Sequence, residues 1–383
     1  MLAALLFPKG TVSDVPVLRV AFVGNSITFV NDLPRFLQAL SGDTMIQNSC
    51  LHGALSFLTM LKKGNGMLSK WTTPNALEEE KYYGNDIYDY GACSFPQLLF
   101  GHDSYLSQGN QNGYYVNDGK NPCFESYYLN FLNQAYARHG TPQWDFVVMN
   151  DQTLFPAIYS KRQKSLLSLK STYASMMVES GARPVLMATH GYKARAINTT
   201  AQGNVAEFTS RVHYGYQQYA QALAERLPNP NQQPLVAPVG LAFLVVHEQA
   251  RGFWKRLFFI DGLHPSPHGT YLMGCVLYAT LYQRMPRTDV ALKVITTTTA
   301  TGHADLRHLW NRARKMQIGA GPVMKFPTAD EAAYLWRVAQ RVVLQGYIPK
   351  SLLTADQVEV LEEADVQAYN NKNNDDDEND DDG

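Results

Sequence analysis

Cysteine is scarce: four residues in 383, at Cys50, Cys93, Cys123 and Cys275. That is too few for a disulfide scaffold, and no pair has the Cys-x-x-Cys spacing of a zinc knuckle or a thioredoxin-type site. Cys93 and Cys123 share one Gly/Asn-rich stretch, where a disulfide and two ordinary thiols are both open readings. An excess of either charge is also missing. The 33 Lys+Arg and 34 Asp+Glu give a net charge of −1, which argues against binding nucleic acid or an anionic membrane over the whole surface. No run of eighteen apolar residues occurs, so no membrane span is expected. The apolar run Leu2–Phe7 has no basic residue before it and is too short for a signal-peptide core. Gly-x-Gly-x-x-Gly and Gly-x4-Gly-Lys-Ser/Thr loops are absent, which speaks against dinucleotide or nucleoside triphosphate chemistry. His247-Glu248-x-x-Arg251 fails the His-Glu-x-x-His zinc pattern at its last position. His264 and His268 are four apart, but no third ligand is evident, so a core or capping role suits His268 better. No metal or cofactor is expected.

What is present is a chain with 45% hydrophobic residues, enough for a sizeable core. Its length fits two or three domains, or one large α/β domain with an insertion. The charge balance hides an asymmetry. Seven acids fall in Asn374–Gly383, and the remaining 27 face 33 bases. The tail has nothing to bury against its ordering entropy and reads as disordered over 370–383. A segment over 1–14 precedes one domain at 15–345, with an insertion at about 65–140, and an extension covers 346–369. The insertion is rich in Gly, Asn and Tyr, including Tyr82, Tyr83, Tyr114, Tyr115, Tyr127 and Tyr128. Such a surface suits sugars through hydrogen bonds and stacking, and it equally suits a lid or a surface decoration. Asn198-Thr199-Thr200 is a glycosylation sequon, relevant only to a secreted chain. The basic segment Arg307–Lys315 reads as a solvated face.

Val15–Val23 is a short β-branched run that ends at Gly24, and it reads as a buried parallel strand. Pro34–Leu40 follows with helical spacing. Trp144–Met149 and Arg183–Thr189 are further buried strands, and Pro234–Phe243 is strand-like. Helices are expected at Lys161–Ser180, Val205–Arg226, Pro267–Gln283 and Glu331–Leu344. The last carries a capping box, Thr328 with Glu331. Strands alternating with helices indicate a parallel sheet with helices on both faces, which binds ligands at the carboxyl ends of its strands. The segments around Ser26, Asn150 and His190 all follow strands directly. His190 is therefore a candidate pocket residue.

Ser26 lies on a tight strand-to-helix turn, where free N–H groups face it, but a serine hydroxyl needs a base to become a nucleophile. In Asp261-Gly262-Leu263-His264, an Asp three residues before a His can fold back onto the imidazole, freeing the far nitrogen to accept a proton. Asn150 at a strand end and Gly53 in His52-Gly53-Ala54 are candidate oxyanion donors.

Taken together, Gly24-Asn25-Ser26, Gly53, Asn150 and Asp261-x-x-His264 resemble the SGNH (GDSL-type) hydrolases, in the branch with Gly-Asn-Ser in the nucleophile block. The likeness covers roughly residues 15–345 and is strongest over Val20–Leu40 and Ile260–Tyr282. It implies a three-layer flavodoxin-like α/β fold and a serine esterase that forms an acyl-enzyme. It further implies Ser26 as nucleophile, His264 as base and Asp261 as its orienter. The N–H groups of Ser26 and Gly53 and the Asn150 amide would form the oxyanion hole. Three departures bear on this. Asn25 replaces the usual Asp. The third block reads Val148-Met149-Asn150-Asp151 without its Gly, so Asn150 and Gln152 both stand as candidates. Gly64 and Gly66 compete with Gly53. A small-molecule or glycan ester is the expected substrate, a short-acyl carbohydrate ester first. An inactive binding protein of the same fold and an acyltransferase are the alternatives.

Overall fold

The computed structural model describes residues 17–63 (less 32 and 43), 95–100, 144–193, 203–291, 325–364 and 367. The tyrosine-rich insertion, Cys93, Cys123, the sequon, Arg307–Lys315 and the acidic tail lie outside the described residues.

Five parallel strands form one sheet: β1 (Leu18–Gly24), β2 (Met45–Leu51), β3 (Phe146–Met149), β4 (Arg183–Met187) and β5 (Leu235–Ala237). Their order, β2-β1-β3-β4-β5, is that of doubly wound, flavodoxin-like sheets. Successive side chains of a strand face opposite sides, and β1 supplies both cores. Val20 and Phe22 join one buried cluster, Ala21 and Val23 the other. A strand buried on both faces must be apolar throughout, which is why β1, β3 and β4 are legible as unbroken runs.

One face is covered by α2 (Leu33–Leu40), α9 (Val239–Gln249), α11 (Pro267–Tyr282) and α12 (Ala329–Val343). The other carries α3 (Phe57–Lys63), α4 (Phe95–Phe100), α5 (Leu154–Ala157) and α8 (Val205–Ala224), together with α6 (Tyr159–Ser168) and α7 (Ala174–Ser180). The remaining short helices are α1 (Ser26–Phe29) and α10 (Arg251–Trp254). The layers are thus helix, sheet, helix. The capping box of Thr328 and Glu331 is formed at α12. Among the described residues, no helix is long and apolar enough to cross a membrane.

Two sequence expectations are corrected, and one strand lies outside them. The strand-like segment Pro234–Phe243 divides into the three-residue β5 and the start of α9. Pro238 has no N–H to continue a ladder. Val239 through Val246 are buried around the whole helix, so no amphipathic period marks it. The helix expected over Lys161–Ser180 is two, α6 and α7, joined by a π-helical turn at Leu169–Tyr173. Strand β2 has no counterpart in the apolar pattern, because Gln47, Asn48 and Ser49 interrupt its apolar residues. Both Gln47 and Ser49 are nonetheless buried.

Candidate active site

Strand β1 stops at Gly24 because of what crosses it. A Cβ at that position would stand on Asn150 Oδ1, so only glycine leaves room for the amide. Asn25 then caps α1, its Oδ1 accepting the Ile27 N–H at 3.2 Å. Ser26 is the first residue of α1.

The opposing turn is built as a closed loop. Phe258 and Pro265 form an isolated antiparallel bridge, and the Phe259 N–H donates to the His264 carbonyl at 2.8 Å. Gly262 adopts φ 70°, in the left-handed region that favours glycine. Ser266 caps α11 by accepting from the His268 and Gly269 N–H groups, and Pro267 supplies a pre-set first helical φ.

These two turns meet across 238 positions of sequence, with His264 Nε2 2.8 Å from Ser26 Oγ. His264 Nδ1 is 2.7 Å from Asp261 Oδ2. The carboxylate can only accept, so Nδ1 carries the proton and Nε2 faces the serine hydroxyl with its lone pair. Asp261 Oδ1 also accepts the N–H groups of Leu263 at 2.8 Å and His264 at 3.0 Å. Partial burial pushes the Asp261 carboxyl up, but the His264 hydrogen bond and the two backbone bonds outweigh it and hold the group below its ordinary value. The His264 and Asp261 side chains keep 21% and 27% of their exposure, so the pair is reachable from solvent.

Three struts set the His264 turn, two of them from buried side chains. Asn31 Nδ2 donates to the Pro265 carbonyl at 2.8 Å and to Thr270 Oγ1 at 3.0 Å, tying the end of the Ser26 segment to the start of α11. His190 Nε2 lies 2.9 Å from the Leu263 carbonyl. The Lys193 N–H donates to the Gly262 carbonyl at 2.8 Å. The His190 ring is fully buried and stacked on Phe243 at 4.4 Å. Burial pushes it down to about 4 despite its bond to Leu263, and the neighbouring His264 adds to the fall. It is therefore neutral near pH 7, with Nε2 protonated. His190 stands behind the His264 turn rather than facing an open pocket.

Asn150 is brought beside Ser26 but is otherwise occupied. Its Oδ1 accepts the Asn25 N–H at 3.3 Å and the Thr28 hydroxyl at 2.5 Å. Its Nδ2 donates to Asn25 Oδ1 at 2.9 Å and to the Asp151 carbonyl at 3.2 Å. The Asn25 N–H is a fixed donor, so the amide cannot be turned end for end. Both Asn150 amide hydrogens are thus engaged within the scaffold, one on Asn25 and one on the Asp151 carbonyl. Gln152, the other candidate, accepts the Leu154 N–H through Oε1 at 2.9 Å. Gly53 follows β2 directly, where the His52 N–H donates to the Gly24 carbonyl at 3.0 Å. Gly53 therefore lies next to the Ser26 turn. Among the described residues the Ser26 and Gly53 N–H groups have no hydrogen-bond acceptor.

Asp151 carries a role that no sequence motif announces. It is fully buried, and its carboxyl accepts from the Phe57 and Gln152 N–H groups and from the hydroxyls of Ser165 and Tyr219. Burial pushes it up to about 6 against those four bonds. It locks the end of β3 to α3, α6 and α8. Asn31 has no motif to betray it, since its partners Pro265 and Thr270 are distant in sequence.

Among the described residues, no group of three or more His, Cys, Asp or Glu is placed to hold a metal ion. His268 is buried beside Arg256 and Glu331, 2.9 Å from Arg256 Nη2 and 3.1 Å from Glu331 Oε2. Cys50 and Cys275 are buried free thiols. Comparison of the chain with protein-family models, with curated proteins and with solved structures gave no match in any of the three.

Proposed function

We propose that this chain is a serine esterase of the SGNH type, hydrolysing a carboxylic ester through an acyl-enzyme. One observation carries the reading: a single relay runs from Ser26 Oγ through His264 to Asp261, at 2.8 Å and 2.7 Å. In this reading Ser26 Oγ attacks the ester carbonyl while His264 Nε2 takes its proton. Asp261 stabilises the imidazolium that forms. The tetrahedral oxyanion is met by the Ser26 and Gly53 N–H groups. His264 then protonates the leaving alcohol, and water repeats the sequence on the acyl-enzyme. The five-stranded parallel sheet supports the family resemblance by its strand order. The substrate class suggested by the sequence is a short-acyl ester on a carbohydrate, with transfer to another alcohol as the related outcome.

A non-catalytic binding protein of the same fold is favoured by one observation, the engagement of both Asn150 amide hydrogens inside the scaffold. A fluorophosphonate probe decides between the two. An enzyme is labelled on Ser26, with labelling lost in His264→Ala and in Ser26→Ala, and hydrolysis of a 4-nitrophenyl ester falls by roughly 10³-fold or more in both. A folded wild-type protein that takes no label leaves the binding protein standing.

A further inference from the structure

Behind the His264 turn lies a cavity of about 500 Å³. Its wall is shared with the turn: Ile260 lines it and immediately precedes Asp261, and Lys193, whose N–H holds Gly262, lines it from β4's side. Four of its lining residues are basic, Lys193, Lys255, Arg256 and Lys325, on a wall that is otherwise largely apolar, and no carboxylate is among them. Arg256 is paired with Glu331 at 2.5 Å. The three lysines have no ion-pair partner among the described residues. Like charges gathered at one concavity repel one another and raise the local concentration of anions. The buried His268 also lines the cavity, and its Nδ1 has no hydrogen-bond partner.

We propose that this cavity binds a multiply charged oxyanion, a phosphate or sulfate group, whose charge the three lysines and Arg256 meet. The exposed Ile260 provides apolar surface for an organic body attached to that group. Two sources share this chemistry: a free anion acting on the back of the His264 turn, and an anionic group of the ester substrate. The second source rests on the esterase reading; the binding itself does not.

The test is calorimetric titration of the full chain with inorganic phosphate, against potassium chloride at matched ionic strength. Saturable one-site binding is expected. A contact between unit charges in water is worth about fivefold in affinity, so Lys193→Gln/Lys255→Gln/Lys325→Gln should weaken it by roughly 100-fold. The triple Lys→Arg variant keeps the charge and should retain binding within a few-fold, and Lys255→Gln alone should lose about fivefold. Circular dichroism checks that each variant is folded. Heats that follow ionic strength without saturating, or equal binding by the folded Gln variant, overturn the proposal. Kinetics then separate the sources. Phosphate that alters turnover of a neutral acetate ester without competing with it is an effector. A KM advantage for esters bearing a phosphate or sulfate, lost in the Gln variant, assigns the cavity to substrate. A chain that hydrolyses no ester refutes the esterase reading, while the binding isotherm still decides whether the cavity takes the anion.

Discussion

Replacing His190 by Phe tests the strut behind the His264 turn. The ring stack on Phe243 can persist, while the donor to the Leu263 carbonyl is lost. A part-buried carbonyl left without its partner costs about 1 kcal/mol or more at pH 7. The pH dependence runs the other way. His190 is pushed from 6.5 down to about 4 by burial, so between those values the unfolded chain binds a proton that the folded chain refuses. Its contribution is fully present above pH 6.5 and drains away as pH falls towards 4, by about 3 kcal/mol in all. The variant has no such loss. Urea unfolding followed by circular dichroism should therefore find His190→Phe less stable than wild type at pH 7, with the gap closed or reversed near pH 4. His213 is also lowered to about 4 and Asp151 raised to about 6, but both are common to the two proteins and cancel in the difference. Loss of the strut should also cost kcat/KM up to about 100-fold through misplacement of His264. Parallel stability curves across this pH range would refute the assignment of a neutral, buried His190.

Asn25→Asp removes the Nδ2 donor to the Leu55 carbonyl and turns a carboxylate on it; thermal unfolding should show a loss of about 1–3 kcal/mol, with slower labelling of Ser26. Gly24→Ala forces Asn150 from its place beside β1; a cost of about 3 kcal/mol or more is expected from denaturant titration, and a variant as stable as wild type would show that the amide is not seated there. Glu362→Gln leaves the fully buried Arg162 without the carboxylate that it meets through two 2.6 Å bonds, and should lower the stability measured in urea by about 3–5 kcal/mol.

Strands β1, β3 and β4 are readable in the sequence because both their faces are buried, so burial alone dictates an unbroken apolar run. The same logic hides β2, whose buried Gln47 and Ser49 break the run. It also disguises α9, whose all-round burial imitates a strand. At the site, Ser26, Asp261 and His264 are legible because each sits in a short local pattern: a glycine turn after a strand, and a carboxylate one turn before a histidine. Asn31 and His190 are not legible as struts, since each meets the other turn across 234 and 73 positions of sequence. Asn150 is legible as a residue at a strand end, but its partners are not, because its amide is answered by Asn25 and Thr28 on the far side of the β1 turn.

The struts share a physical property that bears on the chemistry. Asn31 and His190 seize the backbone carbonyls of Pro265 and Leu263, the residues on either side of His264, so the imidazole is fixed from both flanks without its own atoms being used. Neither strut carries a charge at neutral pH: one is an amide, and the other is a histidine held neutral by burial. In the proposed mechanism an imidazolium forms on His264; a cation at His190 would oppose it, and in a buried setting that opposition is weakly screened. With His190 neutral, Asp261 is the group whose charge would answer that imidazolium, and its hydrogen bonds favour its ionised form. The rigidity of the turn and the electrostatics of the proposed proton transfer thus depend on the same feature, a histidine held neutral by its burial.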